Sequence, residues 1–153
     1  MERVEDFLAE RRIACLATEN PDGSAYLTAV WFLHEEGAVY VGTSGTSRKA
    51  RNAAERPHAS IMVDARGPGS ERGAAASGPV AVLRGREARQ LNDRILERYL
   101  TPAGIAAPGV GGVIAASDDV TLRIEPGGWR TWSTSEDFEG RLEEPGLSLP
   151  LEP

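Results

Sequence analysis

The residues best suited to chemistry gather in the segment Thr43-Ser44-Gly45-Thr46-Ser47-Arg48-Lys49-Ala50-Arg51, where hydroxyls around a glycine pass into three basic side chains. A turn of this kind at a helix start supplies free backbone N–H groups, hydroxyl donors and the positive end of the helix dipole. With Arg48, Lys49 and Arg51 added, the spacing predicts an anion site, above all for a phosphate. Cations at a helix N-terminus are unfavourable unless an anion offsets them, so their placement is informative. The competing reading is a solvated helix start whose cations face water. Lys49 is the single lysine in a chain with 17 lysines and arginines together.

The other candidates carry less. Trp31, Trp129 and Trp132 could each stack on a planar ligand, although core packing explains a strand tryptophan equally well. Of the three, Trp31 is the candidate. His34, beside Glu35 and Glu36, and His58, after Pro57, read as structural or solvated. No pairing of histidines and carboxylates has ligand spacing, so no metal is expected. Cys15 is the one cysteine. It allows no intrachain disulfide and, in the run Ile13-Ala14-Cys15-Leu16-Ala17, reads as core filler. Gly109-Val110-Gly111-Gly112 lacks the preceding strand and following acid of a dinucleotide loop and reads as a flexible loop. No side chain stands out as a catalytic acid, and the catalytic residues stay unassigned.

These residues must be held by short elements. Asn20-Pro21-Asp22-Gly23, Glu35-Glu36-Gly37 and Pro126-Gly127-Gly128 are turn signals between apolar or alternating runs. The runs predict strands over 13–18, 25–33, 38–42, 59–64, 79–85, 120–125 and 129–132, rich in residues that suit a pleated surface. Helices are expected over 2–11, 48–55 and 89–100; in the last, Leu91, Ile95, Leu96 and Tyr99 share one face. Thr46 and Ser47 can cap the second helix, and Pro57 ends it. Segments 66–78 and 101–116 read as long loops, which compact domains keep for function or mobility. Antiparallel strands with helices at a few places predict a small, mainly β barrel of six to seven strands and three helices.

Ser47-Arg48-Lys49-Ala50-Arg51-Asn52, followed by Pro57-His58-Ala59-Ser60-Ile61-Met62-Val63-Asp64, resembles the signature of the pyridoxamine-phosphate-oxidase-like split barrels. The resemblance runs from about Phe7 to Trp132 and takes in the opening helix, the Asn-Pro-Asp-Gly turn and the strand around Val80. It implies a split β-barrel of the FMN-binding type, an oxidoreductase, and a homodimer with flavin mononucleotide or the deazaflavin F420 at the subunit interface. Thr43, Ser47, Arg48 and Lys49 match positions that contact the cofactor phosphate or its neighbours. The flavin-binding members carry two basic side chains on the strand where this chain has Leu27 and Phe32. An apolar strand ending Val30-Trp31-Phe32 is more similar to the F420-using branch, in which backbone groups of the strand, here Thr28, Ala29, Val30 and Trp31, face the ring system. The implied reaction is hydride transfer from reduced F420 to a small, planar, conjugated substrate, with FMN as the alternative cofactor. A protein that binds the cofactor without turnover is a third reading.

Composition sets the outer limits. The chain has 153 residues, 41% hydrophobic and 26% charged, as expected of one ordinary globular domain. No run approaches the roughly 18 apolar residues of a spanning helix, and the acidic start Met1-Glu2-Arg3-Val4-Glu5-Asp6 does not fit a signal peptide, so no membrane role and a cytoplasmic location are expected. A net charge of −6 argues against nonspecific nucleic-acid binding. The charge is uneven. Residues 134–153 hold six acids against Arg141, so a barrel domain over 1–133 is expected to be followed by an acidic tail. Phe138, Leu142, Leu147, Leu149 and Leu151 are too many apolar residues for a purely solvating tail, and they suggest packing on a dimer.

Overall fold

The computed structural model of the chain describes residues 3–110 and 118–153. Helix α1 (Val4–Ala9) buries Phe7 and Leu8 and leads into β1 (Ala14–Glu19) and β2 (Ala25–Val30). Then come β3 (Leu33–Glu35), β4 (Ala38–Ser44), α2 (Arg48–Glu55), β5 (His58–Ala65) and the long β6 (Arg72–Leu83). Helix α3 (Gly85–Tyr99) and the short α4 (Pro102–Ile105) precede β7 (Asp119–Ile124), β8 (Arg130–Ser133) and α5 (Thr134–Asp137). The eight strands form one antiparallel system in the order β2-β1-β5-β6-β7-β4-β3, with β8 on β6. It curls into a split barrel, the mainly β fold expected of the sequence.

The curl depends on β6. Its first part pairs with β5 and its last residues, Val80 to Leu83, pair with β7. At the changeover Gly78 faces the end of β7 so closely that a Cβ there would lie 1.8 Å from the Glu125 carbonyl oxygen. Pro79 follows as the last residue paired with β5, at the edge of that pairing, where a missing N–H costs little. Backbone bonds from Gly127 N to Ser77 O (3.0 Å) and Glu125 N to Pro79 O (2.9 Å) lock the crossing.

Period-two patterning sets the two faces of each strand. Leu16, Ile61 and Val63 point inward and join Phe7, Leu122 and Ile124 in the core, while Cys15 and Ala17 alternate outward. Cys15 is therefore half-exposed on the outer sheet face. The expectation of core filler fails because its neighbours Ala14 and Leu16 take the inward positions.

Two other departures have tertiary causes. The strand expected over 25–33 breaks at Trp31-Phe32, which separates β2 from β3. Phe32 is fully buried. Its backbone turns to α3 for partners, its N–H reaching the Tyr99 hydroxyl (3.3 Å) and its carbonyl accepting from Arg98 Nη1 (2.7 Å). The loop expected over 66–78 is mostly strand. Its glycines and alanines are small because neighbours press on them: a Cβ on Gly73 would lie 2.2 Å from the Trp132 ring. Within 101–116, Thr101 caps α4 by accepting from Gly104 N (3.0 Å); Gly111 and Gly112 lie outside the described residues.

Candidate functional site

Helix α2 forms over the residues its capping signals predict. Ser47 Oγ accepts from the Ala50 N–H (3.2 Å) and from the Thr43 hydroxyl (2.9 Å), so β4 and the helix start are joined by side chains. The middle of the helix is fixed by Asn52, which is buried and donates to Thr18 Oγ1 (3.2 Å) and Asn20 Oδ1 (3.0 Å) on β1 and the turn beyond it. The helix start is thereby fixed relative to the sheet. Arg48 projects into solvent, whereas Lys49 is half-buried.

Burial lowers the Lys49 ammonium from its ordinary pKa. Among the described residues no carboxylate lies within ion-pair distance of it. A partly desolvated cation without a counter-charge is unfavourable, and an anion at this point would relieve it.

Lys49 opens onto a cleft of about 380 Å³ lined by Ala29, Val30, Trp31, Gly42, Thr43, Asn92, Ile95, Leu96 and Asp119. Five residues expected at the site, Ala29, Val30, Trp31, Thr43 and Lys49, thus share one cavity. Thr28, Ser47 and Arg48 are not among its lining residues: Ser47 is engaged in the cap, Arg48 faces water, and Thr28 precedes the lining stretch of β2. The Thr28 hydroxyl oxygen is buried without a hydrogen-bond partner among the described residues. Such a group costs about 1–3 kcal/mol unless something pairs with it.

The cleft has one flat wall and one polar corner. The Trp31 indole, 37% exposed, stacks on Tyr99 at 5.0 Å with the rings 8° from parallel. Opposite, Asn92 is held by a donation to Val120 O (3.2 Å) and by the Thr121 hydroxyl donating to its Oδ1 (2.7 Å). An asparagine amide has two N–H donors, so one remains for a ligand. Gly42 makes room for this amide, since a Cβ there would lie 2.7 Å from Asn92 Oδ1.

Sequence reasoning missed Gly42, Asn92, Ile95, Leu96 and Asp119. For Asn92 a signal was present: it stands three, four and seven positions before Ile95, Leu96 and Tyr99, a polar residue on the helix's apolar face. Asp119 carried none, being one of two successive aspartates at a strand start. The histidines lie away from the cleft lining. His34 meets Trp129 edge-on at 6.1 Å, and His58 is exposed at the start of β5.

A family profile described as pyridoxamine 5'-phosphate oxidase matches residues 1–133. No curated protein matches the chain in sequence. Among solved structures, the conserved hypothetical protein Rv2991 from Mycobacterium tuberculosis is 27% identical, with a TM-score of 0.75 over 97% of this chain and 92% of its own. An F420 reductase is 20% identical, with a TM-score of 0.62 over 85% of this chain and 98% of its own. The heme storage protein HutZ from Vibrio cholerae is 21% identical, with a TM-score of 0.66 over 83% of this chain and 90% of its own. The last two share the fold and handle different molecules, so the fold does not choose the ligand. Among the described residues no helix is long and apolar enough to cross a membrane.

Proposed function

The chain belongs to the pyridoxamine 5'-phosphate oxidase family, and from that premise we propose that it is a cytoplasmic, homodimeric oxidoreductase that uses F420. The observation that carries the reading is Lys49, a half-buried ammonium with no carboxylate partner at the mouth of a cleft walled by an indole. A ligand with a phosphate at one end and a planar ring at the other fits both features. Its phosphate would rest on Lys49 and the start of α2, which adds N–H groups and the positive dipole end. Its ring would lie along Ala29, Val30 and Trp31, with Ile95 and Leu96 excluding water and the spare Asn92 N–H offered to a polar ring edge.

F420 is favoured over flavin by what β2 and the residues just after it lack. Leu27 is 63% exposed and Phe32 is fully buried, so neither position brings a cation to a flavin phosphate. The F420 reductase among the structural neighbours fits this reading, at an identity that carries only the fold. When bound and reduced, a deazaflavin supplies a hydride for a conjugated double bond; the protein contributes position and electrostatics.

The homodimer is supported by the outer sheet face. Leu27, Cys15, Ala17, Met62 and Ala75 line an apolar groove of about 800 Å³, the kind of surface a second subunit covers.

Titration with F420 and, separately, with FMN at fixed ionic strength, followed by tryptophan quenching, tests the cofactor. Saturable binding of F420 with much weaker FMN binding is expected. Preference for FMN would overturn the F420 assignment, and binding of neither would overturn the cofactor site. An F420 complex that reduces no acceptor would leave a binding protein in place of an enzyme.

A further inference from the structure

We propose that residues 145–153 form an arm that docks on a second copy of this chain, with Leu147, Leu149 and Leu151 covering Ile13, Cys15 and Ala29 of that copy. The inference rests on the dimer proposed above and assigns it a second contact.

The root of the arm is well anchored and its end is bare. Thr134 N donates to Glu71 O (2.8 Å), and Leu142 packs so tightly on Gly69 that a Cβ there would lie 2.5 Å from the Leu142 Cβ. Ser148 Oγ donates back to Leu142 O (2.7 Å). Beyond this root, Leu147, Leu149 and Leu151 are 58%, 84% and 61% exposed. Leu147 closes the turn at the end of the root, its N–H donating to Glu144 O (3.2 Å), Leu149 and Leu151 stand two apart beyond it, and their own protomer leaves all three open to water.

The same chain carries a groove of matching character. Ile13, Ala14, Cys15 and Ala29 form the floor of a depression of about 460 Å³, with Arg11, Arg12, Arg66 and Asp64 at its rim. Ile13 is 48% exposed. Arg11 ties its Nε to Arg98 O (2.7 Å), and its terminal amino groups have no partner among the described residues. From Leu142 onward the chain has three acids, Glu143, Glu144 and Glu152, and no base. Arg12 and Arg66 are already paired with Glu10 and Asp64, so Arg11 is the rim cation left to meet the acids that flank the apolar stripe, a pairing that steers association and sets register.

Ala29 also lines the cofactor cleft. A docked arm would therefore close one flank of the other subunit's cleft, so that each site is completed by its partner.

The single native cysteine makes a direct test possible. In Leu149→Cys, mild oxidation with diamide is expected to give a disulfide-linked species of twice 16.4 kDa through Cys15 of the other subunit. The unsubstituted chain and a Ser24→Cys control should give it at background level. A disulfide closed within one chain, or no linkage above background, overturns the proposal. Independently, deletion of 146–153, or Arg11→Glu with Arg66→Glu, should weaken self-association at least tenfold by sedimentation; unchanged association overturns it. If the full chain itself sediments as a monomer at micromolar concentration, the dimer reading falls first and the arm with it.

Discussion

The Trp31 and Tyr99 rings lie 5.0 Å apart and nearly parallel, and the Tyr99 hydroxyl donates to Arg12 O at 2.7 Å. The cleft's aromatic wall is thus oriented by α3 and secured to the segment between α1 and β1. Arg98, the next residue back, reinforces the clamp by donating to Leu8 O (3.0 Å) and Phe32 O (2.7 Å). The interruption of the strand at Trp31-Phe32 gives up sheet pairing and gains a rigid platform.

Tyr99→Phe and Tyr99→Leu separate the ring from the hydroxyl. Phe keeps the stack and should retain both the near-UV circular dichroism of Trp31 and ligand affinity within about twofold. Leu removes the stack, worth about 0.5–1.5 kcal/mol, and should weaken binding of a planar cofactor about 2- to 12-fold. Equal affinity for the two variants, measured by titration, would show that the indole's orientation does not matter to the ligand.

Lys49→Ala removes the cation offered to the ligand's anionic end. A charge-assisted contact contributes about 1.5–3 kcal/mol, so cofactor affinity should fall about 10- to 150-fold. Stability without cofactor should hold or rise, because a partly desolvated charge disappears. Calorimetric titration with matched thermal melts reads both effects. Unchanged affinity would place the phosphate elsewhere.

What the sequence made legible follows from the range of each interaction. Helix α2 was legible to the residue, because Ser47 and Pro57 act locally. The strands β1 and β5 were legible from their composition, but their inward face was not, since Cys15 was read as core and Leu16 takes that place. Long-range contacts were not. Nothing near Ala74 reveals that β5 and β8 flank it, so a run of small residues read as loop. Nothing near Phe32 reveals that Tyr99 and Arg98 will take its backbone bonds, so β2 and β3 read as one strand. At the site, residues contributed by the signature segment were legible, whereas Asn92 and Asp119 enter the cleft through packing of α3 and β7.

Gly78→Ala tests the barrel crossing. The new Cβ would sit 1.8 Å from the Glu125 carbonyl oxygen, and neither backbone can yield without opening the junction of β6 and β7. Overpacking against backbone should cost about 3 kcal/mol or more, lowering Tm by about 6–12 °C for a chain of this size. Gly23→Ala is the useful contrast: with nothing within 4 Å of its Cβ, that site carries only the strain of φ +86°. Thermal melts of the two variants should differ clearly, and equal losses would show that the crossing is looser than the geometry implies.

His34 gives a stability that depends on pH. Burial is the largest influence on it and lowers its pKa from the ordinary 6.5; Arg98 lowers it further, and Glu5 opposes both. The folded state therefore binds the proton less readily than the unfolded chain. As pH falls below about 6.5 the unfolded state takes up a proton first, so stability declines until the folded pKa is reached and then levels off. His34→Gln removes this titration while keeping a polar side chain near Trp129. Urea midpoints at pH 7.5 and 5.5 should fall further for the unsubstituted chain than for the variant. A smaller drop in the unsubstituted chain would mean that Glu5 outweighs burial, stabilising the charged imidazole in the fold.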